Sequence, residues 1–240
     1  MLDLSSHVAV VTGATGNLGA AVLRAYLTHG THVAAAVRDA AKGEALRSAL
    51  SDVAGTAEDP RLIVSEADPA DTLAMDALVD RVVRAWGRLD ILNNLAGIFK
   101  GGPAIDTGLI RELWDTNVLT AVTASAACLR PMRARGYGRI VSVSAVGALK
   151  GGRNSAAYAM SKGALLRWTE SLAAEVKGEG ITVNAVLPTT IDHPVNRAQM
   201  PKADPKLWPS PEEVANVILF LSSREASGVN GAAIPITART

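Results

Sequence analysis

The strongest constraint on this chain is an alternation. Seven short apolar runs, at residues 8–11, 33–37, 62–65, 91–95, 140–143, 182–186 and 233–236, are separated by stretches with helical periodicity. Antiparallel neighbours need only a tight turn, whereas parallel neighbours need a crossover of about a dozen residues or more, usually a helix. Every gap between these runs is long enough for that crossover. The runs are rich in Val, Ile, Leu and Ala and do not alternate with polar residues, the pattern of strands covered on both faces. The chain is therefore expected to be α/β, a doubly wound, seven-stranded parallel sheet between two helical layers. Its 240 residues suit one such domain spanning 1–240, and a hydrophobic fraction of 48% with mean hydropathy of +0.19 supplies the apolar mass. The small, acidic stretch 51–59 reads as a surface loop.

The first run, Val8-Ala9-Val10-Val11, leads directly into Thr12-Gly13-Ala14-Thr15-Gly16-Asn17-Leu18-Gly19 and then an alanine-rich helical stretch ending at Gly30. Glycines in such a turn let the backbone approach a pyrophosphate, and the N-terminus of the following helix offers unpaired amides with a partial positive charge. A glycine-rich turn without a ligand is the plainer alternative. Far downstream, Tyr158 and Lys162 stand four residues apart, which places a phenol and an ammonium on one helical face. A cation beside a phenol favours the phenolate and lowers its pKa from about 10 toward the working pH, as a proton donor to a carbonyl or imine requires. Such pairs also arise by chance, so the weight of this one comes from its company.

With Gly13, Asn94, Asn117, Tyr158 and Lys162 in order, the sequence resembles the short-chain dehydrogenase/reductase family over nearly its whole length. The resemblance implies a Rossmann-type domain and a nicotinamide cofactor. Tyr158 would be the acid or base, with Lys162 lowering its pKa and binding the nicotinamide ribose, and Asn117 holding a water that links Lys162 to solvent. Asp90-Ile91-Leu92-Asn93-Asn94-Leu95-Ala96-Gly97 is similar to the family's fourth-strand motif beside the cofactor, with Leu95 where a second Asn is usual. Asp68 stands where an acid accepts from the adenine amino group, and Val183 to Pro188 matches the strand leading to the nicotinamide pocket. Cofactor contacts are thus expected from Gly13, Thr15, Gly16, Asn17, Leu18, Gly19, Arg38, Asp68, Asn94, Ala96, Gly97, Tyr158, Lys162, Pro188 and Ile191. At the end of the second strand, NAD-dependent relatives carry an acid where this chain has Val37. The next residue, Arg38, suits a 2'-phosphate, so NADP (NADPH) is expected over NAD unless Arg38 is only a solvated charge. Asp39 reads as the cap of a helix starting near Ala40.

The departures from the family pattern also carry information. Asn17 replaces the usual middle glycine, and asparagine tolerates a positive φ, so the turn survives in principle. Thr189 follows Pro188 where Gly is usual, and His193 stands in the place of a nicotinamide-contacting Thr; a lone His in a polar loop is more often structural. An ungapped match puts Ala145 at the catalytic serine. Ser144 can substitute as the fourth catalytic residue only if the strand end twists or bulges, because successive strand residues face opposite ways. A substrate that develops little charge on oxygen, such as an imine or quinonoid group, would tolerate the loss. The runs 148–152, 186–197 and 200–204 are in addition similar to dihydropteridine reductase. Residues 189–210, with Pro194, Met200, Pro201, Pro205, Trp208 and Pro209, form the expected substrate lid, although Met and Trp there can equally be packing residues. Gly101 and Gly102 should line its mouth.

A net charge of +1 argues against nucleic acid or an anionic membrane surface as partner. No apolar run reaches membrane-spanning length, none resembling a signal peptide precedes the first strand, and a cytoplasmic location is expected. The sole cysteine, Cys128, reads as packing, and no metal site is expected. The resemblance also implies a homo-oligomer, a dimer or homotetramer, built on helices near 109–133 and 156–177, whose many alanines permit close approach. Two rivals remain at this level: a nucleotide-binding regulatory protein without turnover, motivated by Asn17, Ala145 and Thr189, and an isomerase or lyase using the same Tyr158 and Lys162.

Overall fold

The computed structural model describes residues 2–239. Seven parallel strands, β1 (Val8–Thr12), β2 (His32–Val37), β3 (Leu62–Glu66), β4 (Ile91–Asn94), β5 (Gly138–Val143), β6 (Ile181–Pro188) and β7 (Ala233–Ile236), lie in the order β3-β2-β1-β4-β5-β6-β7. The eight helices are α1 (Gly19–Thr28), α2 (Ala40–Ala49), α3 (Thr72–Trp86), α4 (Thr107–Trp114), α5 (Thr120–Arg135), α6 (Ala156–Glu175), α7 (Pro194–Gln199) and α8 (Pro211–Ser222). Strand alternation sorts the apolar residues onto two faces. Ala9, Val11, Val33, Ala35 and Val37 join a core with Val22, Leu23 and Tyr26 of α1 and Ile218 of α8, while Val8, Val10, Ala34, Ala36 and Leu92 join one with Leu78 of α3 and Cys128 and Met132 of α5. Both faces are covered, which is why these runs are predominantly apolar.

The chain winds outward from β1 to β3 and then returns to β4 on the other side of β1. That reversal leaves a crevice beyond the carboxyl ends of β1 and β4, where ligands of such sheets bind. The expected strands all form. β6 is longer than its apolar run, extending to Pro188, and β4 stops at Asn94 because Leu95 and Ala96 turn toward the glycine-rich loop. Asp39 caps α2 as expected, accepting from Ala41 N (2.9 Å) and Lys42 N (3.1 Å). Residues 51–59 form a turn-rich surface segment closed by a bridge between Gly55 and Pro60.

Candidate active site

The crevice starts with the turn after β1. Gly13 has φ +64°, and a Cβ there would lie 2.6 Å from the Ala96 nitrogen; one at Gly19 would lie 2.0 Å from the Ala14 carbonyl oxygen. Only glycine lets the turn press against both the β4 loop and its own helix. Gly16 N donates to Gly13 O (3.0 Å) and Gly19 N to Gly16 O (3.1 Å). Asn17 is exposed and is not among the positive-φ residues, so it survives in this turn without needing left-handed backbone, contrary to the sequence argument. α1 also lacks what other helices have. Asp39, Asp71, Asp106 and Ser210 cap α2, α3, α4 and α8, whereas Leu18 provides no side-chain cap for α1. A glycine cradle beneath an uncapped helix start fits a dinucleotide pyrophosphate.

Outward along the crevice, Arg38 is exposed and has no hydrogen-bond or ion-pair partner among the described residues, while neighbouring Asp39 is committed to its cap. Asp68, also exposed, uses one carboxylate oxygen on Ala70 N (2.9 Å). Asn94 is buried and donates to Ser125 Oγ (3.2 Å) and Ser142 Oγ (3.3 Å). Its amide nitrogen therefore ties β4 to α5 and β5 beneath the crevice.

Tyr158 and Lys162 share the first turns of α6, but they do not act on each other as their spacing suggests. Lys162 is 5% exposed, and its Nζ donates to the Val143 carbonyl (2.8 Å); burial pulls its pKa down to about 8. Burial also pushes the Tyr158 phenol up to about 12, with no neighbouring charge opposing it. The expected lowering of Tyr158 by Lys162 is absent because desolvation dominates and the ammonium is directed at the end of β5.

Asn117 lies in a π-helical turn, Asp115–Leu119, between α4 and α5. Its Oδ1 accepts from Ile98 N (2.7 Å), and its Nδ2 donates to Ile98 O (3.0 Å) and Ser161 Oγ (3.0 Å). With both amide protons spent on protein, the side chain clamps the β4–α4 loop to α6. A Cβ on Gly97 would fall 2.8 Å from Asn117 Oδ1 and 2.9 Å from Lys162 Nζ, so the three converge on one point that only glycine fits. π-turns often mark functional sites, and the sequence carries no local signal for this one. It also gave no sign of Phe99, whose ring meets Tyr158 edge to face with centroids 4.9 Å apart.

Ser144 is buried, and its hydroxyl donates to the Lys162 carbonyl (2.9 Å). Its single proton is spent between β5 and α6, which corrects the idea that it replaces the missing oxyanion donor. Ala145 follows in extended conformation (φ −161°) with no bulge to rotate Ser144 toward the crevice. Beyond β6, Pro188 ends the strand and Thr189 N donates to Ile236 O (3.0 Å). Ile191 packs against the core. His193 is the cap of α7, its Nδ1 accepting from Val195 N (3.3 Å), so it is structural. Within 189–210, Trp208 is buried and Met200 partly exposed, which makes the Trp a packing residue. Among the described residues, no group of His, Cys, Asp and Glu is placed to hold a metal, and no helix is long and apolar enough to cross a membrane.

Known proteins share this sequence pattern and fold. The short chain dehydrogenase family pattern matches residues 7–204. D-threitol dehydrogenase of Mycolicibacterium smegmatis is 32% identical, with 97% of this chain and 92% of that protein covered. The 3-oxoacyl-(acyl-carrier-protein) reductase FabG of Escherichia coli is 31% identical, with 96% and 95% covered. Among solved structures, levodione reductase superposes with a TM-score of 0.88 at 26% identity, covering 97% of this chain and 96% of that one. NAD+-bound xylitol dehydrogenase superposes with a TM-score of 0.86 at 27% identity, covering 98% and 99%. These relatives do not extend the narrower likeness to dihydropteridine reductase. Fold, crevice and relatives agree: the chain belongs to the short-chain dehydrogenase/reductase family and is an NAD(P)-dependent oxidoreductase.

Proposed function

We propose that this protein transfers hydride between NADP(H) and the carbon of a carbonyl or imine, with Tyr158 exchanging the proton. The observation that carries the reading is the convergence of Gly97, Asn117 and Lys162 beside Tyr158, at the carboxyl end of β4 and β5. The nicotinamide, when bound, supplies or accepts the hydride. Gly13, Thr15, Gly16, Asn17, Leu18 and Gly19 would cradle the pyrophosphate. Ala96 and Gly97 would leave room for the dinucleotide, Asp68 would meet the adenine, and Pro188 and Ile191 would border the nicotinamide. Preference for NADP rests on the uncommitted Arg38 and on Val37 standing where an acid would bind a ribose diol, while the adjacent Asp39 uses one carboxylate oxygen to cap α2.

A phenol with its pKa near 12 is protonated at neutral pH, the correct state for giving a proton to a newly reduced substrate. The oxidative direction needs the phenolate and should accelerate as the pH rises. Lys162, titrating near 8, carries its charge below that pH and can attract the ribose and the developing anion. With Ala145 at the usual serine and Ser144 spent on Lys162, a C=N group protonated early, as in an imine or a quinonoid dihydropterin, is favoured over a simple ketone. A single domain, a lid over 189–210, a cytoplasmic setting and a homotetramer or dimer belong to the same proposal. Exposed Trp114, Leu119 and Met160 favour an interface on α4, the π-turn and α6. The alanines add less, because Ala121, Ala124, Ala127 and Ala173 face inward.

NADPH oxidation with aldehydes, ketones, quinones and cyclic imines tests the reading. Tyr158→Phe should abolish turnover on any active substrate while leaving cofactor affinity nearly unchanged. Cofactor binding without turnover on the whole panel would favour a regulatory role. Conversion without net cofactor oxidation would favour an isomerase or lyase.

A further inference from the structure

Phe99 is 63% exposed, yet its ring packs edge to face on Tyr158 with the planes 81° apart. So exposed an aromatic would ordinarily move freely, but its backbone is fixed on both sides. Both main-chain polar groups of Ile98 are held by Asn117, and Gly102 N donates to the Asn154 carbonyl (2.8 Å). Asn154 itself adopts φ 59°, a left-handed backbone that asparagine enters more readily than other non-glycine residues. The anchored loop thereby holds a flat apolar surface against the Tyr158 ring, and restraint of this kind reduces the entropy lost when a ligand stacks on it.

The segment bonded to the Phe99 loop carries two cations, Lys150 and Arg153, both exposed and without a partner among the described residues. Within these two segments no free acid opposes them. Residues 144–158 contain no acid, and across 96–106 the sole acid, Asp106, is occupied in capping Leu109 N (3.0 Å). The other cation of that loop, Lys100, is paired with Glu112.

We infer that the substrate joins a planar, conjugated group, stacked on Phe99 next to its reactive carbon, to an anionic group, in the simplest case a carboxylate, drawn to Arg153 and Lys150. This rests on the reading of Tyr158 as the reacting centre. The arrangement disfavours small aliphatic ketones, which cannot use Phe99, and cationic substrates, which the mouth repels.

Binding tests the inference without requiring turnover. Protein saturated with NADP+, against which a ketone cannot react, is titrated calorimetrically with 4-acetylbenzoate and with 4-acetylbenzamide, matched aryl ketones that differ in the carboxylate. The benzoate should bind at least ~3-fold more tightly at low salt, the lower end expected for two exposed charge contacts, and the advantage should shrink as salt is added. Arg153→Glu with Lys150→Glu should erase that advantage and leave the benzamide unchanged. Phe99→Ala should weaken both ligands by ~3- to 10-fold, the worth of an aromatic contact. Equal affinity of the two ligands, no binding of either at millimolar concentration, or a carboxylate preference that survives in the double variant would each overturn the inference. Failure of the underlying reading shows elsewhere, as retained turnover in Tyr158→Phe or absence of cofactor binding.

Discussion

Replacing Lys162 with methionine should make this protein more stable while removing its activity. The ammonium is 5% exposed, lies in no ion pair among the described residues, and has its pKa pulled from 10.5 to about 8 by burial alone. Each power of ten is worth ~1.36 kcal/mol, so keeping this group charged in the fold costs about 3 kcal/mol at neutral pH. Methionine has a similar unbranched stem and carries no charge. It leaves the Val143 carbonyl without the 2.8 Å donor, which returns roughly 1 kcal/mol of the gain. The net expectation is a stabilisation of about 2 kcal/mol, or a rise of about 4–8 °C in Tm for a domain of this size. The pH dependence has a definite sign. Because the folded pKa lies below the unfolded one, the unfolded chain binds more protons between pH 8 and 10.5, and wild-type stability rises across that window. The cost is complete below about pH 8 and is relieved on approach to 10.5, so the gap between variant and wild type should be widest near neutrality and close on the alkaline side. Urea unfolding of both proteins without cofactor, at equal protomer concentration and at several pH values from 7 to 10, measures it. A variant less stable than wild type at pH 7, or a gap that does not change with pH, would refute the argument that desolvation dominates at Lys162.

Arg38→Ala should weaken NADPH by about tenfold or more, from loss of ~1.5–3 kcal/mol of charge-assisted contact, and leave NADH affinity nearly unchanged. Calorimetric titration decides, and equal wild-type affinities for the two cofactors would remove the basis for NADP preference. Ala145→Ser should raise ketone reduction selectively, since one oxyanion donor is typically worth about 10²- to 10³-fold, while imine reduction changes little. The same kinetic assay on Ser144→Ala should show a smaller loss spread over all substrates; selective loss on ketones would make Ser144 the donor after all. On the acid side, burial lowers the pKa of His7, outweighing nearby Asp90, with Arg88, Arg224 and Arg139 acting in the same direction as burial. Its folded pKa lies below the ordinary 6.5, so stability should fall as the pH drops through that value, and His7→Gln should flatten this part of the unfolding profile.

What could be read from the sequence was local. Seven apolar runs became seven parallel strands, and Asp39 became a cap, because burial on both faces and a carboxylate before a helix start leave marks within a few residues. The glycines at 13 and 19 were legible for the same reason, although the need for them comes from Ala96 and Ala14. The crevice was legible only as a set of residues, without its wiring. Asn117 was identified by position, but its π-turn and its grip on Ile98 depend on where α4 meets α6. Phe99 looked like any loop residue until the loop was folded against Tyr158.

The residues at the end of β5 show where such reasoning stops. Strand alternation correctly sets Ser144 and Ala145 on opposite faces, so only one of them can look into the crevice. Alternation cannot tell what waits on the other face. There, the Lys162 carbonyl takes the Ser144 proton while the Lys162 ammonium reaches back to Val143, closing two hydrogen bonds between β5 and the helix that carries Tyr158. Turning Ser144 toward a substrate would break the first bond and put strain on the second, disturbing the cation the site depends on. A reaction that needed a hydroxyl at this point would therefore have to obtain it from position 145, where the chain has alanine. On the proposed reading, this pair of residues favours a substrate that accepts its proton early and asks little of a separate oxyanion donor.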